Sequence, residues 1–260
     1  MTESLALKLV LTPLLVGAAS LAARRWGSEI GGWLVGIPFT SAPVTFFLAI
    51  GPGPHFAAQA SVGILAGTVS QAAFALAYAW LACRLRWTAC LAAATVAFAV
   101  VTVVLLGVSA TALVTFVVAM FVLVVSMALM PRRSQAQPNA VALPRWDIPA
   151  RMLVGTILVV VLTAVAPLLG PRLAGLIAPY PLYATVLAVF SHHVQGAEAA
   201  VSVLRGLLLG LFAFAGFFLT IAQLLETNGI AVAFGAAIVV ALALQAISLA
   251  ASRRLIPAYH

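Results

Sequence analysis

The sequence predicts an all-α integral membrane protein of nine transmembrane helices, built as an inverted 4+4 repeat with a linking fifth helix and with helices two and seven broken. Three observations carry this. Of 260 residues, 65% are hydrophobic and 7% charged, with a mean hydropathy of +1.20; a soluble domain has about a quarter of its residues charged, so this chain cannot furnish a water-facing surface. Apolar stretches of the roughly 20 residues that cross a bilayer recur along the chain. The thirteen Lys and Arg behind the +8 net charge sit almost wholly in the gaps between those stretches, where they set topology and attract anionic head groups rather than marking a nucleic-acid partner.

The first span, 5–23, follows MTESLALK. Glu3 precedes its apolar run, and with no basic n-region and no clear small-x-small cleavage site it reads as a retained helix. The second, 30–50, carries the proline-rich IPFTSAPVTFF. A GPGPH turn at 51–55, with a gate as the alternative role, leads into the third span, 56–83, long enough to tilt or to project beyond the hydrocarbon. Cys83 and Cys90 flank Arg84-Leu85-Arg86 and are too few for a disulfide framework or a metal site. Residues 87–130 are too long for one crossing and divide into a fourth span, 87–107, and a fifth, 110–130. RRSQAQPNAVALPRWDIPAR, at 132–151, has prolines and no apolar period, and is the one polar connector. Spans six to nine follow at 149–169, 173–192, 196–225 and 229–251. The domains are then 1–108, the first four-helix repeat; 109–148, the linking helix and cytoplasmic connector; and 149–260, the second repeat, inverted.

With the N-terminus outside, the cytoplasmic ends receive Arg24, Arg25, Arg84, Arg86, Arg132, Arg133, Arg145, Arg151, Arg253 and Arg254, while the other side keeps Lys8 and Arg172. Ten against two obeys the positive-inside rule for a multi-pass protein of a cell inner membrane with a periplasmic N-terminus and a cytoplasmic C-terminus.

A shift of 143 residues superposes Gly27 on Gly170, Gly32 on Gly175, Pro38 on Pro181, Gly63 on Gly206 and Gly67 on Gly210. Spans one to four therefore match six to nine. Because the offset is five spans, an odd number, the two copies face opposite ways, an arrangement recurrent among secondary transporters. A duplication that merely makes a stable bundle is the alternative.

Proline removes a backbone donor and clashes with the preceding turn, so Pro38 with Pro43, and Pro179 with Pro181, break spans two and seven. The breaks fall near the bilayer midplane, where freed carbonyls and hydroxyls must face protein or a water-filled cavity. Pro38, Thr40, Ser41, Thr45, Tyr180, Pro181 and Tyr183 are accordingly the candidate substrate-binding residues. The alternative is that the prolines only bend the helices and the hydroxyls bond back to their own i−4 carbonyls. Arg205 joins the candidates because a charge about ten residues inside span eight is costly; snorkelling to the head groups is its alternative. His55 aligns with Glu198 at the same shift, and His192 and His193 lie near Glu198. These four are candidate coupling residues, since histidine titrates near neutrality, with plain interfacial roles as the alternative. Glu29 and Glu226 read as interfacial carboxylates. Gln59 reads as a bridge between helices, while Ser70 and Gln71 either line a cavity or bridge. Gly63 with Gly67, and Gly206 with Gly210, form packing seams expected to cross one another at the centre.

At GSEIGGWLVGIPFTS, residues 27–41, the chain resembles the short bacterial membrane proteins of the GlpM kind, four-helix units with a glycine pair followed by a proline and a hydroxyl residue. The resemblance implies a duplicated and fused unit, and names no substrate. The second copy departs from the pattern with Ala174-Gly175 and Tyr183-Ala184, which suits one asymmetric site better than two equal ones.

No Walker loop, HExxH, GxSxG or cysteine-histidine cluster occurs, and the only aspartate is Asp147 in the connector, so neither an enzyme nor a cofactor or metal is expected. The expected function is a secondary transporter, exporters and lipid-linked flippases included, that moves a small molecule, an anion among the candidates, by alternating access around spans two, three, seven and eight. The alternative is a non-transporting membrane scaffold or assembly subunit of a larger complex. The expected partners are the lipid bilayer and the small-molecule substrate, with no nucleic acid; a homo-oligomer is compatible with all of this.

Overall fold

Glycine and proline set where the helices start and stop. In a computed structural model of the chain, which describes residues 2–36, 38, 41–51, 53–108, 110–131, 146–165 and 179–255, every regular element among those residues is a helix. They are α1 (Thr2–Trp26), α2 (Ser28–Val35), α3 (Ser41–Ile50), α4 (Pro54–Ala82), α5 (Trp87–Leu106), α6 (Ala112–Leu129), α7 (Asp147–Val165), α8 (Leu182–Gln195) and α9 (Ala197–Leu255). The span predicted at 30–50 is thus two helices, α2 and α3, parted around Pro38. Pro43 lies in the first turn of α3, where the missing N–H has no intrahelical partner to lose. Gly53, at φ 114°, precedes α4 and Pro54 opens it. The end of the sixth predicted span and the start of the seventh lie outside the described residues.

α9 is a hairpin. Gly229 takes φ 77° and ψ 170°, a left-handed conformation that costs glycine little, and the chain reverses there. A Cβ placed on Gly216 would meet the side chains of Leu244 and Val240, and the Phe217 and Phe234 rings lie 6.1 Å apart. In a straight helix residues 216 and 244 would be about 42 Å apart at 1.5 Å per residue. The two limbs, 197–228 and 230–255, therefore match the separate eighth and ninth spans predicted at 196–225 and 229–251.

Among the described residues α4, α5, α6 and α9 are long and apolar enough to cross a membrane, the profile of a membrane protein. The polarity of the bundle fits. Val96, Val100, Val103 and Val104 on α5, and Val117, Phe121 and Val124 on α6, are exposed, whereas α4 buries Ser61, Thr68, Ser70 and Gln71. Large side chains outside and small or polar ones inside suit a lipid solvent, in which burial of apolar surface does not drive helices together. The centre is α4 packed on the first limb of α9, with Leu65, Phe74 and Tyr78 buried beside Leu204, Leu207, Leu211 and Phe218.

The connector ends earlier than the sequence suggests. α7 starts at Asp147, whose side chain is 1% exposed and accepts from Arg151 Nε at 3.0 Å and from Arg24 Nη2 at 3.2 Å. Arg151 is itself 2% exposed, with its guanidinium 5.4 Å from the centre of the Phe190 ring. Asp147 is therefore not a solvated linker residue, and Arg151 is not a head-group charge. The pair has i,i+4 spacing on one helix face, and burial of a charge is tolerable only with such partners.

Candidate functional site: the helix breaks and their glycine seams

The glycines of the long helices seat the broken helices. A Cβ on Gly32 would run into the carbonyl of Val203, and one on Gly206 into the carbonyl of Glu29; one on Gly36 would lie 2.5 Å from the Cα of Gly210. α2 and the first limb of α9 thus cross backbone to backbone. On the other side, a Cβ on Gly67 of α4 would lie 2.5 Å from the Pro179 ring, while no described residue comes within 4 Å of one on Gly63. The expectation that the two glycine pairs cross each other is corrected: Gly206 and Gly210 of α9 both receive α2 at the first break, and Gly67 alone of the α4 pair receives the second, at Pro179. Residues 143 apart take matching places here. Gly36 and Pro179 are so related, as are Gly210 and Gly67 that receive them. Gly53 and Gly196 both adopt left-handed φ, 114° and 95°, immediately before α4 and α9. The Pro38 carbonyl accepts from Ala42 N at 2.9 Å, and the Pro181 carbonyl from Thr185 N at 2.8 Å.

Beside the first break, the described hydroxyls bond within their own helix. Pro38 is buried; Ser41 and Thr45 are buried, and Thr45 Oγ1 donates to the Ser41 carbonyl at 2.9 Å, the back-bonding that serine and threonine favour in helices. Thr40 lies outside the described residues. Trp33 pins α2 to the second limb of α9, where its indole Nε1 donates to Ser248 Oγ at 3.2 Å and its carbonyl accepts from Gln245 Nε2 at 3.1 Å.

The second break is closed by α4. Gln71 Nε2 donates to the Pro179 carbonyl at 2.6 Å, which bridges helices and satisfies a group freed by the break. Tyr180 lies edge-on to Phe74 and Phe98, with ring centres 5.7 and 5.3 Å away, and its hydroxyl shares a hydrogen bond of 3.0 Å with Thr95 Oγ1 of α5. Pro181 caps α8, and Thr185 Oγ1 returns to its carbonyl at 2.9 Å. Tyr183 is half-buried in the first turn of α8. Farther along, Tyr78 Oη and His192 Nδ1 are 3.2 Å apart, and His193 lies edge-on to Trp87 at 6.4 Å. Gln71, Phe74, Tyr78, Thr95 and Phe98 were not among the predicted site residues. A signal for three of them existed: Gly67, Gln71, Phe74 and Tyr78 follow i, i+4, i+7, i+11, one face of α4.

Arg205 stands apart from both breaks. Its Nη2 donates to the Pro131 carbonyl at 2.8 Å, while Nε is buried without a hydrogen-bond partner. Trp80 Nε1 donates to the Leu129 carbonyl at 3.0 Å, so the two side chains together satisfy carbonyls at and beyond the end of α6, where no intrahelical donor remains. Glu198 is exposed and has no ion-pair partner among the described residues. His55 Nδ1 lies 3.1 Å from Glu226 Oε1, both side chains exposed. The substrate and coupling candidates therefore divide into four places: the first break, the second break with the Tyr78–His192 pair, the end of α6, and the exposed ends of α4 and α9. Comparison with protein-family models, curated proteins and solved structures finds no match.

Proposed function

We propose that the chain is a secondary transporter of nine spans, an inverted 4+4 repeat that moves a small molecule by alternating access around the two helix breaks. One observation carries the reading: the reciprocal seam, in which Gly36 meets Gly210 while Pro179 meets Gly67. Exchange of each residue for its counterpart 143 positions away turns one contact into the other, as a two-fold relation between halves requires. The shared left-handed glycines Gly53 and Gly196 and the proline carbonyls at both breaks support the same relation. α5 and α6 are both of spanning length, which supports the odd number of crossings between the copies that an inverted repeat needs. The N-terminus is then periplasmic and the C-terminus cytoplasmic in an inner membrane, by the distribution of Arg and Lys.

Two equivalent breaks, each lodged in a glycine seam at bilayer depth, are elements that two half-proteins could exchange between alternative packings. A second reading, a membrane scaffold or assembly subunit, draws on a specific observation too: polar groups beside the breaks are already bonded within the protein, Thr45 Oγ1 to the Ser41 carbonyl of its own helix and the Pro179 carbonyl to Gln71. A substrate-independent experiment separates them. In a Cys83→Ser/Cys90→Ser background, Ser41→Cys is exposed to a membrane-impermeant maleimide from each side in right-side-out and inverted vesicles. Alternating access gives slow labelling from both sides. Labelling from neither side, or from one alone, refutes it and leaves the scaffold.

A further inference from the structure

We propose that the exposed face of α1 that ends at residues 24–26 is a binding site for one anionic phospholipid. Val10, Leu14, Ala18, Leu21 and Arg25 follow i, i+4, i+8, i+11, i+15, the spacing of a single helix face, and all five are exposed. The four apolar members form a stripe about 17 Å long at 1.5 Å per residue. At its end a shallow cleft of about 560 Å³ lies between Ala18, Leu21, Ala22, Arg24, Arg25 and Trp26.

The cleft joins two chemistries. Ala18, Leu21 and Ala22 offer an apolar wall, and the exposed Trp26 indole is the side chain favoured at the depth of lipid head groups. Arg25 lies over that indole, 5.6 Å from the ring centre, and has no carboxylate partner among the described residues. Arg24 reaches Asp147, which it shares with Arg151, so two guanidiniums share that carboxylate and Arg25, beside Arg24 in the chain, adds a further positive charge at the cleft. A phosphodiester head group is complementary to that charge, and an acyl chain to the stripe. A soluble anion would use the arginines and leave the stripe unused; a zwitterionic lipid would do the reverse.

Native mass spectrometry of the purified full chain, titrated separately with dioleoyl phosphatidylglycerol and dioleoyl phosphatidylcholine, tests this. One phosphatidylglycerol is expected to bind ahead of the rest. Arg25→Ala is expected to weaken it about fivefold, the worth of one basic residue near an anionic surface. Leu21→Asn weakens it as well, whereas Arg84→Ala/Arg86→Ala, basic residues in another loop, does not. Arg25 and Leu21 are exposed, so both variants are expected to fold, which a wild-type elution volume checks. Equal binding of the two lipids, no loss in Arg25→Ala, or an equal loss in the Arg84/Arg86 control overturns the site. Displacement by equimolar glycerol 3-phosphate overturns it too, in favour of a free phosphate.

Discussion

Gly210→Ala tests the seam on which the arrangement rests. An added Cβ there would stand 2.6 Å from the Cα of Gly36 and 2.6 Å from the carbonyl oxygen of Trp33. Ordinary contact begins near 3.4 Å, a shortfall of about 0.8 Å. Both obstacles are backbone, so no rotamer change relieves them and α2 must move off the first limb of α9. Overpacking of this kind costs about 1–3 kcal/mol, with the upper part of the range apt for backbone against backbone. Alanine recovers about 1 kcal/mol of helix propensity over glycine, leaving a net loss of about 1–2 kcal/mol. Gly235→Ala is the matched control, because no atom lies within 4 Å of its added Cβ and only the propensity gain remains. The assay is reversible unfolding by SDS in mixed micelles, followed by circular dichroism. If Gly210→Ala unfolds at or above the wild-type midpoint, as Gly235→Ala is expected to, the close approach of α2 to α9 is wrong and so is the reciprocal seam.

Two further outcomes follow from single contacts and are read in the same unfolding assay. Asp147→Ala leaves Arg151 buried and uncompensated and is expected to cost about 3–5 kcal/mol, while Arg24→Ala, whose side chain is 30% exposed, costs less; equal effects would contradict the burial assigned to the pair. Gln71→Leu removes the donor to the Pro179 carbonyl and is expected to cost about 1–3 kcal/mol, the penalty of an unsatisfied buried acceptor; a neutral result would mean the break finds another donor.

What the sequence made legible was local. Pro38 and Pro181 mark breaks because a missing N–H and a steric clash act within one turn. Gly229 marks the reversal of α9 for a similar reason, since the gap between two apolar runs and a residue free to take positive φ coincide there. The starts of α4 and α5, at Pro54 and Trp87, fall within two residues of the predicted spans for the same cause. Partners were not legible, because they depend on which helices meet. Gly67 and Gly210 announce a close approach without saying to what, and their partners are the breaks rather than each other. Arg205 announces a costly charge, yet its acceptor is the backbone of Pro131, 74 residues away and invisible to any search for an opposite charge. Asp147 was assigned to the connector because its neighbours are prolines and polar residues. Its i,i+4 spacing to Arg151 is the local sign that both lie on one helix face.

The two breaks occupy equivalent positions but are not held alike, which bears on how an alternating-access cycle would run. At the first, α2 meets α9 through glycine backbone, and its side-chain anchor is Trp33 on the second limb through Ser248 and Gln245. At the second, α4 holds the Pro179 carbonyl directly through Gln71, and Phe74 and Phe98 flank Tyr180. The counterpart of Gln71 at the 143-residue shift is Phe214, which has no amide to offer. Movement of the second break away from α4 would strand a buried carbonyl, at a cost of about 1–3 kcal/mol; sliding of α2 along a glycine seam breaks no hydrogen bond at the seam itself. In the proposed cycle α4 and the second break therefore move as one body, and the seam between α2 and the first limb of α9 is where the halves change their packing.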